Sequence, residues 1–154
     1  NAGVTRDNLL VRMKPDEWQD VLDTNLTGLY RVIKPALRGV MKARWGRIIN
    51  FAGMKAMRGY FEGAPISAAK HGVWGLTKAL STEFAPKGIT ANVISPGQIR
   101  KETATEDDPK RTASIPAGVM GRPGDIAATA AFLASPEAGF ITGQMIAVNG
   151  GEET

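Results

Sequence analysis

Three short runs with strand-forming Ile or Val, next to turn-forming residues, alternate with longer segments in which apolar residues recur at helical spacing. Runs of this length, bounded in this way, are typical of buried strands. They lie at 47–51, 90–94 and 144–148 (RIINF, TANVI and QMIAV). The helical spacing covers 16–43, 65–84 and 123–134. Strands that alternate with helices predict an α/β fold with a parallel sheet.

Two segments show neither a strand-like run nor helical spacing of apolar residues. Residues 53–64 are rich in glycine, and we expect them to be irregular. Residues 98–118 are polar, and we expect a loop that is longer than most connections. In an open α/β sheet, such a loop leaves the carboxyl end of a strand and is the expected place for a substrate lid.

The three strands are few for a parallel sheet. Each parallel strand is normally buried on both faces and has neighbours at its edges. The sequence opens on the turn-like Asn1-Ala2-Gly3, with no strand before it. The pattern therefore predicts that residues 1–154 form one partial domain.

The amino-acid composition excludes several kinds of functional site. The 154 residues contain no cysteine, which excludes disulfides, thiolate chemistry and cysteine-based zinc sites. The one histidine, His71, cannot build a multi-histidine site, so we expect no metal. No run of about 18 apolar residues is present, and no secretory segment opens the sequence. We therefore expect a cytoplasmic protein that does not bind membranes.

The formal net charge is +4, and the basic residues are scattered along the chain. A solvated basic face explains this pattern, while attraction to a phosphate-bearing cofactor or an acidic partner is a second interpretation. A basic module for nucleic acid is a third and weaker one, because no basic stripe with interleaved aromatic residues occurs. We expect no nucleic-acid partner.

Six motifs, in order and at the right spacing, resemble those of the short-chain dehydrogenase/reductase family. They are Asn1-Ala2-Gly3, Thr24-Asn25-Leu26, 46–50 (GRIIN), Lys70, Ser95-Pro96-Gly97, and 140–144 (FITGQ) with 148–151 (VNGG). The resemblance covers essentially the whole chain and is strongest to the 3-oxoacyl-acyl-carrier-protein reductase branch. It implies the C-terminal half of a doubly wound Rossmann-type parallel sheet. It also implies an oxidoreductase that interconverts alcohols and carbonyls with NAD or NADP.

The resemblance also implies roles for particular residues. Asn25 and Lys70 correspond to catalytic positions. Contacts to the cofactor are implied for Asn1, Ala2, Gly3, Lys70, Pro96, Gly97 and Ile99. Helices 16–43 and 65–84 would form the interface of a homodimer or homotetramer, and the substrate would be a small carbonyl or alcohol compound.

Two catalytic positions of the family pattern hold the wrong residues. Gly53 stands where the family has a serine, and Ile66 stands where it has the tyrosine that exchanges a proton with the substrate oxygen. General acid–base catalysis of this kind accelerates a reaction by roughly 10²- to 10⁴-fold. In addition, no glycine-rich phosphate-binding turn follows a strand, and Lys101 replaces a threonine that often contacts the cofactor.

No other residue is an obvious replacement. On a helix, Ser67 would point about 100° away from the direction of residue 66. Tyr60 lies ten residues before Lys70, so we expect Tyr60 to pack in its loop or to contact the substrate. His71 is expected to be a neutral, partly buried side chain. Two hypotheses follow: an atypical oxidoreductase that lacks the usual serine and tyrosine, or a non-catalytic family member that acts as a scaffold or oligomer partner.

Overall fold

The computed structural model describes residues 2–104 and 106–152, and a three-stranded parallel sheet lies at its centre. Its strands are β1 (Gly46–Phe51), β2 (Ile89–Pro96) and β3 (Met145–Val148), in the spatial order β1-β2-β3. Gly46 pairs with Ile89, and Val93 pairs with Met145. The predicted strands and the parallel α/β fold are confirmed.

Six α-helices accompany the sheet in the described residues. They are α1 (Pro15–Leu22), α2 (Gly28–Ala43), α3 (Met54–Arg58), α4 (Ala64–Phe84), α5 (Pro109–Thr112) and α6 (Pro123–Ala134). The predicted helix 16–43 is interrupted by a π-helical turn at Asp23–Thr27. Helices α3 and α5 fall in segments predicted to be irregular. With five and four residues, they are too short to leave a helical period in the sequence.

Helices cover both faces of the sheet, as expected for a parallel sheet. On one face, α2 and α4 pack against the sheet around the buried residues Leu80, Phe84, Ile89 and Ala91. On the other face, α6 packs on the sheet around Ile94, Leu133 and Ala138. Residues 89–95 of the middle strand β2 are all buried, and polar side chains among them, such as Asn92 and Ser95, are hydrogen-bonded within the fold.

A third apolar cluster joins α1, α3 and α4. Its buried members are Val21, Ala56, Ile66 and Ala69. This cluster brings the start of α4 against α3, which follows the carboxyl end of β1. The crevice beside the carboxyl ends of parallel strands is where ligands bind in open α/β sheets, so this cluster positions the candidate site. Within residues 2–104 and 106–152, no helix has the length and apolar character needed to span a bilayer.

Candidate active site

Asn25 lies in the π-helical turn and is almost completely buried. Its side-chain amide donates to the carbonyl oxygen of Val21 at 2.9 Å, which an α-helix would pair with the backbone N–H of residue 25. The same amide donates to the carbonyl oxygen of Val4 at 2.7 Å. Asn25 therefore closes the irregular turn and fixes the segment that follows Gly3. Single π-turns inside helices are frequent at functional sites.

Lys70 lies on α4, one turn after Ile66, and is half-buried. Its ammonium donates to the carbonyl oxygen of Phe51, the last residue of β1, at 2.8 Å. Burial lowers the pKa of this ammonium below its ordinary value. The ammonium has three donors, so two remain for a ligand.

The two positions that lack the family's hydroxyls differ in their surroundings. Gly53 has extended backbone, with φ at 169°, and a Cβ built there would meet no heavy atom within 4 Å. Ile66 is only 6% exposed and packs among Val21, Ala56 and Ala69. Position 53 therefore has room for a side chain, whereas position 66 is part of the core.

Tyr60 packs against the cluster that contains Ile66. Its hydroxyl donates to Oδ1 of Asp7 at 2.8 Å, and the Lys55 ammonium lies 3.8 Å from the centre of its ring. Burial and the Asp7 carboxylate raise the pKa of Tyr60 to about 12. At neutral pH this phenol is a neutral donor that is already engaged, and its proton is held more tightly than in free tyrosine.

These groups surround a cavity of about 300 Å³, which we call the Lys70 cavity. Gly3, Asn25, Gly53, Tyr60, Ile66 and Lys70 line it. The sequence had placed Tyr60 away from Lys70, but the structure brings both to one cavity. Gly3 approaches Asn25 closely, since a Cβ at position 3 would lie 3.1 Å from Oδ1 of Asn25.

A neighbouring cavity of about 470 Å³, the Glu152 cavity, lies beside the carboxyl ends of the strands. Met54 and Lys55 line both cavities. The remaining wall of the Glu152 cavity is formed by Arg58, Gly97, Gln98, Ser114 and Glu152. The two cavities can therefore hold neighbouring parts of one ligand.

The remaining described residues that the sequence singled out lie outside the Lys70 cavity. Gly97 lines the Glu152 cavity, and Pro96 ends β2 opposite Val148. Ile99 forms a bridge with Gly121, and Ala2 is exposed. Asn1 lies outside the described residues.

Neither alternative proton donor on α4 lines either cavity. The Ser67 hydroxyl is buried with no hydrogen-bond partner in the described part of the chain. His71 is exposed, which corrects the expectation of a partly buried side chain, and its Nδ1 lies 2.9 Å from the carbonyl oxygen of Ser67. His71 therefore faces the outer surface of the helix, whereas the Ser67 hydroxyl is enclosed away from both cavities.

Known proteins match nearly the whole chain. Residues 1–153 match the family model described as enoyl-(acyl carrier protein) reductase. Over 155 aligned residues, the chain is 50% identical to 3-oxoacyl-[acyl-carrier-protein] reductase FabG of Vibrio cholerae and 46% identical to that of Escherichia coli. Each alignment covers 98% of this chain and 64% of the relative. The chain belongs to the short-chain dehydrogenase/reductase family.

Membership in the short-chain dehydrogenase/reductase family makes this chain part of an oxidoreductase family and supports a nicotinamide dinucleotide cofactor. The predicted resemblance to the 3-oxoacyl-acyl-carrier-protein reductases is confirmed. The chain spans about 64% of the length of the curated relatives that it matches.

The Lys70 cavity is compatible with the nicotinamide–ribose end of such a cofactor. Its volume of about 300 Å³ is at the lower end of ligand sites, and the two remaining donors of Lys70 suit ribose hydroxyls. Within residues 2–104 and 106–152, no cluster of three or more His, Cys, Asp or Glu residues could hold a metal ion.

Sequence reasoning missed several residues of this short-chain dehydrogenase/reductase site. Lys55 and Arg58 are two of the scattered basic residues, and their closeness to Gly53 in the sequence was a usable signal. No sequence pattern pointed to Asp7 or Glu152, because each contacts a residue that is distant along the chain. Asp7 contacts Tyr60, 53 residues away, and Glu152 contacts Gln98, 54 residues away.

Proposed function

We propose that this protein binds NAD or NADP at the Lys70 cavity and interconverts an alcohol and a carbonyl compound without the usual serine and tyrosine. The observation that carries the proposal is the shared cavity of Lys70, Asn25 and Gly53. It keeps the lysine and the asparagine of the family pattern, while positions 53 and 66 have no hydroxyl. We expect a rate roughly 10²- to 10⁴-fold below that of a complete site.

Each residue has a distinct role in this proposal. Lys70 would hold the ribose with one of the two donors that Phe51 leaves unused, and Asn25 would fix the cavity wall at Val4. The bound nicotinamide supplies or accepts the hydride. Lys70 would also donate the proton that the carbonyl oxygen needs on reduction. Its lowered pKa makes the ammonium a stronger acid than an exposed lysine, whereas the Tyr60 phenol is tied to Asp7.

Hydride transfer from deuterated reduced cofactors tests the proposal. The native protein should label carbonyl substrates slowly, and the double change Gly53→Ser with Ile66→Tyr should raise the rate by roughly 10²- to 10⁴-fold. Lys70→Met should abolish labelling in both backgrounds. Lys87→Met, an exposed lysine outside both cavities, is the matched control. If only the double variant transfers hydride, the natural sequence is not an enzyme of this kind.

A second candidate is a non-catalytic family member that acts as an oligomer partner. The observation in its favour is an apolar groove between α2 and α4, lined by Ile33, Leu37, Leu76, Leu80 and Phe84. Binding of another chain in this groove would not require the missing serine and tyrosine hydroxyls. Co-expression with an active homologue should then give a stable heteromer. A strictly homomeric protein with turnover would exclude this role.

Four further expectations belong to the proposal. The groove between α2 and α4 would pair two copies in a homodimer or homotetramer, as helices 16–43 and 65–84 predict. The 154 residues would correspond to the C-terminal part of a dinucleotide-binding domain, with a small carbonyl or alcohol substrate and a cytoplasmic location. Sedimentation equilibrium tests the assembly, and Tyr30→Asp on α2, an exposed residue that lines the groove, should weaken it.

A further inference from the structure

The wall of the Lys70 cavity carries a second ammonium group, that of Lys55, to which the proposed reaction gives no role. Lys55 lies on α3, two residues after Gly53, and its ammonium nitrogen lies 3.8 Å from the centre of the Tyr60 ring. That ring is fixed in turn, because its hydroxyl donates to Asp7 at 2.8 Å. An aromatic face attracts an ammonium without neutralising its charge. Tyr60 therefore orients a full positive charge at the edge of the cavity.

Most other side-chain donors of the cavity wall are already engaged. The Asn25 amide donates to two backbone carbonyl oxygens, and the Tyr60 hydroxyl donates to a carboxylate. Lys70 gives one donor to a backbone carbonyl oxygen and, in the proposed reaction, a second to the ribose. In residues 2–104 and 106–152, Lys55 and Lys70 are the cationic side chains that line this cavity. Lys55 is therefore the charged group that can serve the reacting atoms without leaving another contact unmade.

The neighbouring position 53 leaves room for such a contact. Gly53 has no side chain, and a Cβ there would meet no heavy atom within 4 Å. The space beside it is therefore open to a ligand oxygen. Ile66 presents only an alkyl surface to the same cavity. A substrate oxygen that enters this space meets no hydroxyl at position 53 or 66, so a charged donor on α3 has no competitor there.

We propose that Lys55 is a catalytic residue of this site, and that its ammonium binds the substrate oxygen and stabilises the negative charge that develops on it. The inference deepens the proposed function and rests on it for the hydride. The carbonyl carbon accepts the hydride from the reduced nicotinamide, which is oxidised, and the π electron pair of the C=O bond moves to the oxygen. That oxygen then takes the proton that Lys70 gives. Lys55 keeps its own proton throughout and acts through its charge, as an oriented group does at an oxyanion.

Steady-state hydride transfer by the complete protein tests this role. Removal of one oxyanion donor typically costs roughly 10²- to 10³-fold in kcat. We expect Lys55→Met to lower kcat and kcat/KM by about that factor with little change in KM, because the contact is made in the transition state. Lys55→Arg keeps the charge and should retain most of the rate. The matched control is Lys78→Met, since exposed Lys78 also lies over an aromatic ring, 4.3 Å from that of Trp74, but outside both cavities.

Tyr60 is a positioning residue in this inference, and two substitutions separate its ring from its hydroxyl. Tyr60→Phe keeps the aromatic face and should retain most of the rate. Tyr60→Leu removes the face and should lower kcat towards the value of Lys55→Met. Combining Tyr60→Leu with Lys55→Met should then add little to the loss, because both changes act through one ammonium. Independent, additive losses would instead indicate that Tyr60 has only a structural role.

The oxyanion site can also be measured without turnover. The probe is 4-nitrophenol, whose ionised form carries the negative charge on oxygen and differs in absorbance from the neutral phenol. Titration of the bound probe against pH should give a lower pKa than that of free 4-nitrophenol. Lys55→Met should raise the pKa of the bound probe by about one unit, which corresponds to a tenfold loss of affinity for the phenolate. Lys55→Arg and Lys78→Met should leave it near the native value.

The two proposals can fail separately. Lys55-dependent binding of the phenolate without hydride transfer by the native protein supports an oxyanion site at Lys55 and removes the proposed reaction. Hydride transfer that Lys55→Met and Lys78→Met affect equally, together with equal affinity of the native protein and Lys55→Met for the phenolate, overturns the role of Lys55 alone. A loss confined to KM in Lys55→Met would overturn it as well.

Discussion

Replacing Asn25 by aspartate should show how much the π-helical turn depends on one amide group. The change keeps the shape but removes the two hydrogen bonds to the carbonyl oxygens of Val4 and Val21. Leaving a buried acceptor without its donor costs about 1–3 kcal/mol. For the two acceptors, we expect the free energy of unfolding to fall by about 4 kcal/mol at pH 7, a large share of the 5–15 kcal/mol that is typical of a domain.

The loss should depend on pH in a defined direction. The fold disfavours the charged carboxylate beside two carbonyl oxygens, so the pKa of the introduced carboxyl should be raised above its unfolded value of about 3.9. The destabilisation is then complete above the raised pKa and decreases as the pH falls through it. If protonation restores one of the two bonds, we expect about 1 kcal/mol to return between pH 7 and pH 4.5.

Urea denaturation of the native protein and the variants at both pH values measures these differences. Asn92→Asp is the matched control. Asn92 donates to the carbonyl oxygen of Ile141 and accepts from the backbone N–H of Gln144, so the carboxylate loses only one bond. We expect that control to cost about 2 kcal/mol. An Asn25→Asp loss no larger than the control's, or one that does not change with pH, would refute the reasoning.

Other perturbations probe the Tyr60 and Lys70 environments. Asp7→Asn should lower the pKa of Tyr60 from about 12 towards 10 without reaching it, because burial remains; tyrosinate absorbance measures this in a variant whose other tyrosine is phenylalanine. Gly63→Ala would place a Cβ 2.5 Å from the Tyr60 ring, so chemical denaturation should show that the free energy of unfolding falls by about 1–3 kcal/mol. Gly75→Ala is the control: its Cβ would meet nothing within 4 Å, so this change should raise the free energy of unfolding by about 0.5–1 kcal/mol. Below the lowered pKa of Lys70, burial of its charged form destabilises the folded state. This destabilisation disappears as the pH rises from the folded pKa to the pKa of the unfolded chain. The stability of the native protein relative to Lys70→Met should therefore increase as the pH rises through the lowered pKa of Lys70 to the unfolded value of 10.5, and a constant difference would contradict the burial effect.

The sheet and the long helices were predictable from the sequence because burial on both faces leaves a clear pattern. Strand β2 contains Ile89, Ala91, Val93 and Ile94 among its buried residues 89–95, and Pro96-Gly97 marks its end. The π-helical turn left no such mark. Apolar residues continue through Asp23–Thr27 at nearly helical spacing, and one extra residue in a turn does not disrupt that pattern.

The position of Tyr60 depends on backbone geometry that spacing does not encode. Gly59 and Glu62 both have positive φ, at 80° and 68°. The N–H of Gly63 donates to the carbonyl oxygen of Tyr60, and the N–H of Asn8 donates to that of Glu62. This turn folds Tyr60 back onto the cluster around Ile66, so ten residues of sequence separation did not keep it from the Lys70 cavity.

The contrast between positions 53 and 66 bears on how easily the missing hydroxyls could be regained. A serine at position 53 is accessible by one substitution without steric penalty, because a Cβ there meets nothing within 4 Å. A tyrosine at position 66 would have to enter a packed cluster already covered by the Tyr60 ring, and overpacking of a core typically costs about 1–3 kcal/mol. The order of mutations therefore matters. Residue 66 is subject to epistasis, because the cost of a tyrosine there depends on Tyr60 and the other residues of its cluster, whereas a serine at position 53 meets no such dependence.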